Sequence, residues 1–168
     1  MHSGDFRSSE LFAFEGECRL WNREKVICTL DFPAADLERR QAVLNKRLPF
    51  IKEQLAWLEN SRAAIEQALL DDGMAALAER WAESAEEAED EETACYIMED
   101  GLKVFLPITP EVFCRSLYAS SVSLVFDGGW DNPYISLGLG CSPDYFAGHV
   151  ISVSVDAQKQ VHCDGLTG

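Results

Sequence analysis

The chain lacks a Cys-x-x-Cys pair, a run of 18 apolar residues, a glycine-rich phosphate loop and, beyond its midpoint, more than a few basic residues. Each absence excludes a class of protein. Six cysteines (Cys18, Cys28, Cys95, Cys114, Cys141 and Cys163) lie scattered, so their expected role in a reducing compartment is that of small buried hydrophobes. Cys18 and Cys28 are candidates to face each other across a hairpin. Without a long apolar run there is no transmembrane helix to assign, and Met1-His2-Ser3-Gly4-Asp5 has neither the basic start nor the apolar stretch of a secretory signal. A cytoplasmic protein is expected, with no membrane contact.

The shortage of lysine and arginine excludes a nucleic-acid partner, because a surface that displaces counterions from phosphates needs clustered bases. The formal charge is −15, and it is unevenly spread. Residues 1–80 carry 11 basic and 14 acidic side chains, a net of −3, whereas residues 81–168 carry 3 and 15, a net of −12. The second half therefore has the field that attracts a basic partner.

What is present is apolar patterning adequate for one domain. A chain of 168 residues buries roughly 70% of its unfolded surface and needs neither disulfide nor metal to fold. Residues Phe12 to Phe32 read as a hairpin about Trp21-Asn22-Arg23-Glu24, with β-branched residues in its second arm. After Pro33, Leu37, Leu44, Leu48, Ile51, Leu55 and Leu58 recur at helical spacing. Asp36 is placed to cap that helix, and Pro49 is expected to kink or divide it. Ser61 opens a second helix, with Ala64, Ile65, Ala68 and Leu69 inward and Gly73 at its end, and a third runs from about Met74 through Trp81.

Glu83 to Glu92 contains seven acids and no base; a solvated loop or frayed helix end over about 83–93 follows. Next comes a hairpin about Glu99-Asp100-Gly101, then a short helix opened by Thr109-Pro110. Strands are expected at Ser120 to Phe126, Tyr134 to Leu139, Gly148 to Val155 and Gln160 to Cys163, antiparallel because their connections are short. The predicted fold is a single α+β domain over residues 1–168. It has an antiparallel sheet with helices on one face, an N-terminal hairpin, a helical middle and a strand-rich C-terminus.

The chemically suggestive stretch is Asp144-Tyr145-Phe146-Ala147-Gly148-His149-Val150-Ile151-Ser152-Val153. Period-2 alternation puts His149 on the face shared by Ile151, Val153 and Val155. Two readings of this imidazole are open. It either locks the preceding turn through a hydrogen bond, or it forms with Asp144 a carboxylate–imidazole pair for acid–base work. No Ser, Cys or Lys is placed beside that pair as a nucleophile, so His149 and Asp144 are weak catalytic candidates. His162, Cys163 and Asp164 match no metal-ligand spacing, and neither a metal nor a cofactor is expected.

From Trp21 to Leu30, through Trp81 and Thr109 to Gly128, to the aromatic-x-Gly-His-x-Ile-x-Val pattern ending at Val153 and the terminal Gly165-Leu166-Thr167-Gly168, the chain resembles an uncharacterised bacterial family. That domain of unknown function is similar to groups read as immunity proteins of polymorphic toxin systems. Glu83 to Pro107 lies outside the resemblance, which implies no catalytic residue. The expected function is a non-enzymatic protein that binds a protein partner, such as a basic toxin, through an acidic surface. The candidate partner-binding residues are Glu86, Glu87, Glu89, Asp90, Glu91, Glu92, Trp130, Asp144 and Tyr145. The alternative is a hydrolase or small-ligand-binding protein with a pocket near His149.

Overall fold

The structure, a computed structural model, describes residues 5–9, 13–32, 36, 39–88, 94–126, 130 and 133–168. It is an α+β fold built on a seven-stranded sheet: β1 (Phe6–Ser8), β2 (Phe14–Leu20), β3 (Arg23–Asp31), β7 (Leu117–Val125), β8 (Tyr134–Cys141), β9 (Val150–Val155) and β10 (Val161–Thr167), in that spatial order. A smaller sheet joins β4 (Glu86–Glu87), β5 (Cys95–Ile97) and β6 (Lys103–Phe105). The helices are α1 (Arg40–Asn60), α2 (Arg62–Asp71), α3 (Met74–Ala82) and α4 (Pro110–Ser116).

The N-terminal hairpin forms as its turn chemistry predicts. Trp21 and Asn22 take φ of 53° and 60°, the left-handed pair that matches the twist of the adjoining strands. Every neighbouring pair in the large sheet is antiparallel except β3 and β7, which run parallel from Ile27↔Ser121 to Asp31↔Val125. A parallel pair requires a long crossover, and here the crossover is the whole helical middle together with the small sheet.

Alternation gives the large sheet one apolar face. Val26, Cys28, Leu30, Val122, Leu124, Ile135, Leu137, Leu139, Ile151, Val153 and Val155 join a single core with Leu44, Ile51, Leu58, Ile65 and Leu69 of the helices. The opposite face carries a small polar row, in which Thr29, Ser123, Ser136 and Ser154 stand side by side across four strands.

Several expectations are corrected. Helix α1 starts at Arg40 with no side-chain cap, and Asp36 instead accepts the indole N–H of Trp130 at 3.0 Å; Leu37 lies outside the described residues. Of the two outcomes expected at Pro49, division does not occur, since it sits within one 21-residue helix. Ala64 is exposed, because α2 turns only a narrow face, Ile65 and Leu69, to the core. The acidic segment opens at Glu83, the C-cap of α3; beyond that turn Glu86 and Glu87 are extended, paired with Ile97 and Tyr96, and the Ala88 N–H donates to the Cys95 carbonyl at 2.8 Å. Glu89, Asp90, Glu91 and Glu92 lie outside the described residues.

Other expectations are met. Gly73 ends α2 in the left-handed conformation at φ 79°, and Thr109 caps α4 by accepting from the Val112 N–H at 3.3 Å. Among the described residues, no helix is long and apolar enough to cross a membrane.

Candidate functional site

The loop between β8 and β9 is organised by Asp144. Its Oδ1 accepts the Phe146 N–H at 3.2 Å and its Oδ2 accepts the Gly148 N–H at 2.7 Å, a carboxylate folded back onto its own turn. Its own N–H donates to Asp100 Oδ2 at 2.8 Å, while Asp100 Oδ1 accepts the Leu102 N–H at 3.0 Å. The β5–β6 turn of the small sheet is thereby clipped to the β8–β9 loop of the large one.

Ala147 and Gly148 then take φ of 51° and 81°, turning the chain so that the His149 N–H donates to the Phe146 carbonyl at 3.0 Å. The imidazole Nδ1 lies 2.8 Å from that same carbonyl. A carbonyl only accepts, so Nδ1 carries the proton and Nε2 is the ring's acceptor, with no hydrogen bond to a protein group among the described residues. His149 thus precedes the strand, which starts at Val150. Its ring stands edge-on to Trp81 at 5.5 Å, and Trp81 also meets Phe146 at 5.8 Å.

Asp144 and His149 share the loop but not a hydrogen bond. No hydroxyl or thiol bonds to the imidazole among the described residues. Burial pushes the Cys141 thiol up to about 12, so at neutral pH this neighbour is protonated and unreactive. Tyr145 is buried, its ring stacked on Phe113 at 6.5 Å, and burial raises its phenol above the ordinary range. At the β9–β10 end, His162 Nε2 lies 3.6 Å from Asp156 Oδ2, and Ser154 Oγ donates to Asp164 Oδ1 at 3.1 Å. That arrangement supplies no imidazole–hydroxyl pair.

The loop separates two clefts. One, about 450 Å³, is lined by Trp81, Glu86, Ile97, Met98, Glu99, Asp144 and Tyr145. Its floor is apolar, since Met98 and Tyr145 are buried; its rim is acidic, since Glu86 and Glu99 are exposed. The other, about 430 Å³, opens on the far side between Arg23, Asp100, Tyr118, Ser142 and His149.

The residues singled out from sequence divide accordingly. Glu86, Asp144 and Tyr145 come together in the acidic cleft, and Glu87 is exposed on the same strand. Trp130 does not join them. It packs against Phe126 at 4.5 Å and Phe32 at 4.7 Å, with the Arg47 guanidinium 5.0 Å from its ring. Sequence reasoning missed Trp81, Met98 and Glu99 in the acidic cleft, and Arg23 and Tyr118 in the other. Glu99 carried a signal in its hairpin turn; Arg23 and Tyr118 lie 95 positions apart and carried none.

A family model described as an uncharacterized protein conserved in bacteria (DUF2262) matches residues 3–166. The match runs through Glu83 to Pro107, which the resemblance read from sequence had left out. No curated protein and no solved structure matches the chain.

Proposed function

The chain belongs to this uncharacterized bacterial family, and we propose that it acts by binding a basic protein partner at the acidic cleft. The observation that carries the proposal is the composition of that cleft. The carboxylates of Glu86 and Glu99 stand over an apolar floor of Ile97, Met98 and Tyr145, with Trp81 at the side. Neither Glu86 nor Glu99 has an ion-pair partner among the described residues. A lysine or arginine from a partner lays its methylene stem on such a floor and its charged head on such a rim. The net of −12 in the second half of the chain adds long-range attraction, which accelerates encounter.

In its sharper form the partner is a basic toxin, and the chain is the immunity protein that occludes it. The resemblance carried by Tyr145 to Val153 supports this form, and the polarity of charge along the chain supports the choice of a basic partner. A cytoplasmic location accords with it.

A lysine- and arginine-rich peptide tests the cleft. In a ¹⁵N-labelled sample it shifts the Trp81 indole and the amides of Glu86 and Glu99, and the double variant E86K/E99K weakens binding at least tenfold. Association slows steeply between about 0.01 M and about 1 M salt, over which the screening length falls from about 30 Å to about 3 Å. Equal rates at both ionic strengths refute the electrostatic reading. For the toxin form, wild-type protein restores growth to cells expressing the partner toxin, and E86K/E99K does not.

A further inference from the structure

The second cleft has the opposite chemistry, and we infer that it is a binding site for a carboxylate. Its two acids are already engaged. Each oxygen of Asp100 and each oxygen of Asp144 accepts a backbone N–H, which disperses their charge into the turns they hold. The groups left without a hydrogen-bond partner among the described residues are the edge of the Arg23 guanidinium and the hydroxyls of Tyr118 and Ser142, all lining one cavity of about 430 Å³. Hydrogen-bond donors therefore converge where the acceptors are spent.

Arg23 is the anchor. Its Cζ lies 3.7 Å from the centroid of the Tyr118 ring, so the guanidinium is stacked face-on and its N–H groups project around the edge. The ring is itself fixed from below: a Cβ at Gly140 would stand 2.4 Å from Tyr118 Cζ, so the phenol lies directly on the glycine. The chain has 29 acidic and only 14 basic side chains, yet Arg23 makes no ion pair among the described residues. The adjacent Glu24 pairs instead with Arg19 at 3.6 Å. A planar fork held in place without a carboxylate is arranged to receive one.

The carboxylate comes either from a small organic acid or from the C-terminus of a polypeptide, and four probes separate them. These are benzoate, its neutral isostere benzamide, and an acetylated tripeptide with a free or an amidated C-terminus. Titrations followed by the Arg23 Nε–Hε and His149 ring resonances should show binding of one or both carboxylates and of neither neutral partner. Benzoate alone identifies a small acid as the ligand, and the free peptide alone a chain terminus. R23Q should weaken binding at least tenfold, Y118F less, and E86K/E99K not at all. Equal binding of the neutral compounds, unchanged affinity in R23Q, or no response to either carboxylate at millimolar concentration overturns the assignment.

Discussion

Asp100 and Asp144, 44 positions apart, are joined by a 2.8 Å hydrogen bond from the Asp144 N–H to Asp100 Oδ2. Two acids in contact repel unless one offers a donor, and here the donor is backbone. The contact fixes the small sheet against the loop and thereby shapes both clefts. D144A leaves the Phe146 and Gly148 N–H groups to water and should destabilise the fold by about 1 kcal/mol. D144N retains one carbonyl acceptor and should lose less. Urea titration checks both, through a lowered midpoint at unchanged slope.

Local signals were legible in the sequence and distant pairings were not. The alternation of Ile151, Val153 and Val155, the Trp21-Asn22 turn, Gly73 and the Thr109 cap each depend on neighbours a few residues away, and each is where its chemistry predicts. Strand β4 was hidden because Glu86-Glu87 has no β propensity of its own; pairing with Ile97 and Tyr96 makes it extended. The parallel pairing of β3 with β7 was hidden for the same reason at longer range. Asp36 is a good cap by type, but its partner is Trp130, 94 positions on. At the candidate site, the composition of the Asp144–His149 turn was visible. Its acid and its imidazole close onto backbone within that turn, as one of the two sequence readings has it, but the clefts on either side depend on contacts with α3, the β2–β3 turn and the small sheet.

Glycine at position 140 is required by contact and at position 73 by conformation, and the two substitutions should differ. G140A drives a methyl against the Tyr118 ring at 2.4 Å. It should displace that ring and cost about 1–3 kcal/mol, as overpacking does. G73A meets nothing within 4 Å but keeps a φ of 79°, and should cost only about 1 kcal/mol. Y118A added to G140A relieves the first cost and leaves the second unaffected. Thermal unfolding of G73A, G140A, Y118A and Y118A/G140A reads the difference, and equal losses from G140A with and without Tyr118 would disprove the contact.

The Cys141 thiol makes a prediction about alkaline pH. Burial raises it from 9.0 to about 12, so the unfolded chain releases this proton first. Above about pH 9 the native state then binds more protons than the unfolded state, and stability falls as pH rises. Below pH 9 both states are protonated and the contribution is constant. Each pH unit in the window from about 9 to about 12 should cost up to about 1.4 kcal/mol from this one group. C141A removes the titration and should flatten that part of the curve, although it lowers stability at neutral pH by leaving a small cavity. Urea midpoints measured at pH 7, 9 and 10.5 compare the slopes; parallel decline in wild type and C141A would show that the loss originates elsewhere.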